Sequence, residues 1–160
     1  MTASGSPRAL AASIALTGLV AGTLDMTAAV VQYMSRGGTE PVRILIYIAS
    51  GALGPWVFDG PPAWVAAAGL GFHYLIAFTW TVLFFVAFPR LQALRRSPLV
   101  IGPLYGVVVW FVMNRVVVPL SRVPKPKAFD PTQAAIACAI LIVCIGLPIA
   151  LGASRHFRPL

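Results

Sequence analysis

A chain of 160 residues that is 59% hydrophobic and 10% charged lies outside the soluble range, where about a quarter of residues carry charge. Its length holds about four spans of about 20 residues with short connections, which excludes a separate soluble catalytic domain. The net charge of +8, from twelve Lys and Arg against four acids, sits mostly at the ends of apolar runs. That arrangement points to the lipid bilayer and its anionic headgroups, worth about 1 kcal/mol per basic residue near the surface, and away from nucleic acid. The expected fold is an all-α integral membrane protein. It has four transmembrane helices and one short re-entrant or interfacial helix between the first and second, all in a single membrane domain over 1–160.

The first span is expected over about 10–34. Arg8 ahead of an apolar run suggests a signal peptide, but the run exceeds the usual 7–15 apolar residues and contains Asp25, so an uncleaved helix is expected. Gly18 and Gly22 form a G-x-x-x-G that permits close helix approach, and Asp25, seven residues after Gly18, returns to the same face. Thr39 is the expected N-cap of the next element, with Glu40 and Pro41 in its first turn. The apolar piece 44–58 is too short to span and is broken by Gly51, Gly54 and Pro55, which predicts a short helix dipping into one face of the bundle. Trp56 and Trp64, flanking Asp59-Gly60-Pro61-Pro62, mark an aqueous boundary.

The remaining spans are expected at 63–88, 98–120 and 132–153. In the first of these Gly69, His73, Ala77 and Trp80 share a face. The next carries a second G-x-x-x-G at Gly102 and Gly106, then Asn114 and Arg115 toward its far end. Four spans put both termini on one side. Arg8, Arg90, Arg95, Arg96, Arg155 and Arg158 flank that side, against Arg36, Arg43, Arg122, Lys125 and Lys127 on the other. This small excess places the termini in the cytoplasm.

Depth along the spans sets the candidate site. A charge near the hydrocarbon centre costs about 2.5–3.5 kcal/mol, so Asp25 should face protein or a wet cavity and have a partner. At 1.5 Å rise per residue, Asp25 and His73 fall roughly 4 Å from the midplane on one side, and Asn114 and Arg115 about 7–9 Å in that same half. These four form the candidate polar cluster, with Ser50, Gly51, Gly54 and Pro55 of the broken segment as gate or plug. Asp25 and His73 could exchange protons, since an imidazole titrates near neutrality. The alternative is a buried Asp25–His73 or Asp25–Arg115 pair that only sets helix register.

Other chemistry has less support. Cys138 and Cys144, six apart in one run, have no zinc or redox spacing and read as small core residues. No cofactor or metal motif is present. Haem on His73 would need His156, which falls in the basic tail at the opposite side. No H-E-x-x-H, P-loop or G-x-S-x-G motif occurs, so no catalytic residue is assigned.

Several phrases occur in order along most of the chain: Gly22-Thr23-Leu24-Asp25, Ile48-Ala49-Ser50-Gly51-Ala52-Leu53-Gly54, His73, Leu104-Tyr105-Gly106, Met113-Asn114, Val118-Pro119-Leu120-Ser121 and Gly146-Leu147-Pro148-Ile149-Ala150. In these the chain resembles an uncharacterised family of small bacterial inner-membrane proteins, distantly similar to YagU-type proteins. The resemblance implies a four-helix, multi-pass protein of the inner membrane, with Asp25, His73 and Asn114 on motif positions. The expected function is channel-like or transporter-like, with a homo-oligomer because four short helices enclose little space. The alternative is a structural or accessory membrane protein whose buried polar residues specify packing.

Overall fold

The computed structural model describes residues 6–59, 62–90, 97–124 and 130–157. Of the flanking basic residues, Arg95, Arg96, Lys125, Lys127 and Arg158 lie outside this set, as do Gly60 and Pro61. Four helices are long and apolar enough to cross a membrane: α1 (Pro7–Ser35), α3 (Ala63–Arg90, its last turn 3-10), α4 (Pro98–Leu120) and α5 (Pro131–His156). The shorter α2 (Val42–Leu53) lies between the first two and is followed by a 3-10 turn, Pro55–Phe58. This is the expected arrangement of spans, with each end within about three residues of the reading from hydropathy.

Local chemistry sets the helix ends. Ser6 caps α1, its Oγ accepting from the Ala9 amide at 3.3 Å, with Pro7 in the first turn. At the other end Gly37 takes φ +85°, and the Gly37 and Gly38 amides donate to the Met34 and Tyr33 carbonyls. These two bonds form a Schellman closure. Asp130 caps α5 by accepting from the Thr132 and Gln133 amides at 2.9 and 3.1 Å.

At α2 the expected cap is displaced. Pro41 occupies the cap position and Thr39 lies outside the helix. Glu40 instead accepts from the Arg43 Nε at 2.6 Å, an exposed pair one turn apart. The shared proton and the neighbouring carboxylate hold the Arg43 pKa above its ordinary value. Gly54 then stops α2 with φ 97° and ψ 176°, a backbone region open essentially to glycine alone.

Both α4 and α5 contain one π-helical turn, Met113–Val117 and Ile142–Gly146. In each case a proline follows two residues later, Pro119 and Pro148. A proline inside a helix lacks its amide donor and its ring crowds the carbonyl four residues back, and the wider turn relieves both.

The helices pack α2 on α3, α3 on α1, α1 on α5 and α5 on α4. The main core lies toward the termini and includes Ala21, Phe84, Phe85, Phe88, Ile101, Val109, Ile149 and Ala150. There Tyr105 of α4 donates to the Trp80 carbonyl of α3 at 2.6 Å, which closes the bundle. Toward the other face, Ala49, Val57 and Val65 form a small second cluster beneath α2. Large apolar side chains such as Leu16, Leu75, Leu99 and Phe111 point outward from the spans. Lipid is the medium in which that outward display costs nothing.

Candidate functional site

The site is built where α1 crosses α3. A Cβ added to Gly18 would strike the Phe78 ring, and one added to Gly22 would meet Tyr74 and Ala77. The first G-x-x-x-G is therefore occupied within the chain, and it brings α3 against the α1 backbone. His73 is buried at this contact, and its Nε2 lies 2.8 Å from the Gly22 carbonyl oxygen. A carbonyl only accepts, so Nε2 is the donor of this bond. One residue along each helix, the Thr23 hydroxyl meets the Tyr74 hydroxyl at 2.8 Å.

Asp25 lies on the same side of α1, one turn beyond, and is partly buried. It is about four residues past the middle of Pro7–Ser35, or ~6 Å from the midplane at 1.5 Å per residue. Its carboxylate accepts no hydrogen bond among the described residues. His73 and the Cys144 thiol are both within its electrostatic reach. Cys144 belongs to the π turn of α5, so α1, α3 and α5 each contribute one titratable group.

The other candidate residues lie elsewhere. Asn114 and Arg115 sit in the π turn of α4 and are exposed on the outer surface. The Asn114 amide donates to the Trp110 carbonyl of its own helix at 2.9 Å. Arg115 makes no ion pair with Asp25, and Glu40–Arg43 is the one ion pair among the described residues. The Trp110 indole nitrogen is buried without a partner.

The broken segment forms a cover over α3 and the end of α4. Ser50 is buried, its hydroxyl returned to the Tyr47 carbonyl at 2.6 Å, and the Gly51 carbonyl accepts from the Arg122 amide at 3.0 Å. Gly54 is buried at the bend, whereas Pro55 is exposed at the start of the 3-10 turn. A Cβ on Gly69 would fall onto the Leu45 carbonyl, so the backbones of α2 and α3 touch there.

The second G-x-x-x-G is also occupied within the chain. Gly102 and Gly106 face Gly146, Leu147 and Ile142 of α5, and a Cβ on Gly146 would strike the Gly102 carbonyl. His156 pairs through Nδ1 with the Ser13 hydroxyl at 2.9 Å, at the end of the bundle away from Asp25. Among the described residues, no three His, Cys, Asp or Glu side chains are grouped to hold a metal ion.

Reading the sequence by depth missed Cys144, because no spacing rule links it to Asp25. It also missed Gly146, whose signal was a third glycine on a span facing a glycine pair. No family model, curated protein or solved structure matches this chain.

Proposed function

We propose that this multi-pass protein is channel-like or transporter-like, set in a bacterial inner membrane, and that Asp25 and His73 are its proton-exchanging pair. One observation carries the reading: the Asp25 carboxylate, at membrane depth and without a hydrogen bond among the described residues, lies within electrostatic reach of His73, whose Nε2 is bonded to the Gly22 carbonyl. A carboxylate used only for packing would be expected to have its oxygens satisfied, because an unpaired charge there is costly. The exchange moves a proton from the Asp25 carboxyl to the Nδ1 lone pair and back, leaving Nε2 bonded to Gly22. Both glycine pairs are consumed within the chain, so an oligomer would have to assemble through other surfaces.

A second reading rests on the His73–Gly22 bond itself, which ties α1 to α3 whether or not protons move. On that reading the protein is a structural or accessory component. The test is proton flux into liposomes holding a pH-sensitive dye, for wild type and Asp25→Asn, with the melting temperature of each in detergent. Loss of flux in a variant as stable as wild type supports the transport reading. Absence of flux in both, with a destabilised variant, rejects it in favour of the structural one.

A further inference from the structure

The ends of α1 and α5 at the face opposite the termini enclose a crevice of about 310 Å³. Its lower walls are Ala28 and Val31 of α1 and Ile136 and Ile140 of α5. Its rim carries Gln32, Ser35, Arg36 and Gln133. The two glutamines meet across the opening, Gln32 Nε2 donating to Gln133 Oε1 at 3.3 Å. That bond leaves the side-chain Gln133 Nε2 and Gln32 Oε1 without a partner among the described residues. From Ala28 up to Arg36 the crevice extends about 12 Å at 1.5 Å per residue. Measured from the middle of α1, Ala28 lies ~10 Å from the midplane, inside the hydrocarbon, and Arg36 about 22 Å from it, at headgroup level. A second concavity on the other flank of Gln32 and Arg36, with Tyr33, Gly37 and Gly38, widens the rim toward water.

The occupant must therefore be apolar below and negatively charged above. Arg36 is exposed and makes no ion pair among the described residues, although four acids against twelve basic residues leave most cations to find partners outside the chain. We propose that this crevice is a specific site for one anionic phospholipid. Its phosphate bonds to the Arg36 guanidinium, the Gln133 Nε2 donates to a phosphate or ester oxygen, the Gln32 Oε1 accepts from a headgroup hydroxyl, and one acyl chain lies against Val31, Ile136 and Ile140. Guanidinium is suited to this by its planar fork of donors, which matches a phosphate oxygen pair. This inference is independent of the transport reading.

The experiment is native mass spectrometry of the full chain in detergent with phosphatidylglycerol or phosphatidylcholine of the same acyl length, and thermal melting with each lipid or with inorganic phosphate. Wild type is expected to retain one phosphatidylglycerol and to melt higher with it than with phosphatidylcholine or phosphate. Arg36→Gln is expected to weaken that binding about tenfold or more, the scale of a hydrogen bond to a charged group. Ile136→Trp, which fills the crevice and leaves every charge in place, should also abolish it. Arg122→Gln, a cation on the same face outside the crevice, should leave binding unchanged. Equal loss in Arg122→Gln, binding retained in either crevice variant, or an equal shift with inorganic phosphate overturns the proposal. Arg36 lies beyond the last turn of α1, so its variant should melt as wild type without lipid. If it does not, Ile136→Trp alone decides.

Discussion

The His73 Nε2 and the Gly22 carbonyl oxygen are 2.8 Å apart across the contact of α3 with α1. This bond exists because Gly22 has no side chain to hold α3 away, and it makes Nε2 the donor, so that Nδ1 is the nitrogen left for the proposed proton exchange. His73→Gln keeps an amide donor for Gly22 but cannot take up a proton, whereas His73→Leu loses both. Flux should vanish in both variants, while melting falls only in His73→Leu, by about 1 kcal/mol, as for other interhelical bonds in membrane bundles. Flux retained in His73→Gln would remove the imidazole from any proton path.

Gly69 and Gly71 offer a test of how α2 is seated. A Cβ at Gly69 would lie on the Leu45 carbonyl, and backbone cannot swing aside as a side chain can. A Cβ at Gly71 meets nothing within 4 Å. Gly69→Ala should therefore destabilise by about 1–3 kcal/mol through overpacking and loosen α2. Gly71→Ala should be neutral or stabilise by up to about 1 kcal/mol through helix propensity. Melting in detergent reads the first effect, and protease sensitivity near Gly54 reads the loosening. Equal behaviour of the two variants would mean that α2 is not docked through Gly69.

Gly54 carries the bend between α2 and the 3-10 turn. At φ 97° and ψ 176° its backbone is open to glycine and closed to nearly every other residue. Gly54→Ala should cost about 1–3 kcal/mol even though its Cβ would meet only ordinary contacts at 3.8 Å from Arg122 and Trp56. Gly51→Ala, whose nearest neighbour would be Val123 at 3.5 Å, should cost much less. Chemical denaturation in detergent separates the two. A small effect at Gly54 would show that the segment can bend another way.

The spans are legible in the sequence because hydropathy over a window needs no knowledge of neighbours. The two faces that meet between α1 and α3 are legible too, since Gly18, Gly22 and Asp25 on one and Gly69, His73 and Ala77 on the other recur at three and four residues on regular helix, although the pairing of the faces is not. The same rule fails at Asn114 and Arg115. Depth counts residues along an axis and says nothing of direction around it, and a π turn at Met113–Val117 adds a residue to the turn and rotates the helical phase. Cys144, inside the other π turn, lies within electrostatic reach of Asp25, and no spacing rule links residues on two different spans. In each case the proline two residues beyond was visible, but the turn it induces was not part of a 3.6-residue reading.

The crossing of α5 by α1 and α4 can be tested at two glycines that face different obstacles. A Cβ on Gly146 would strike the Gly102 carbonyl and crowd the Gly106 amide, both backbone atoms. One on Gly152 would strike the Thr17 side chain. Gly146→Ala must part α4 from α5 along the whole glycine seam, and should cost about 3 kcal/mol or more, at the upper end of overpacking. No single side-chain trimming should recover it. Gly152→Ala should cost about 1–2 kcal/mol and be largely restored by Thr17→Ala, which removes the hydroxyl and methyl it would meet. The measurement is a double-mutant cycle on melting free energy. Additive effects at Thr17 and Gly152 would show that α1 and α5 do not touch there, since residues in contact are the ones whose effects fail to add.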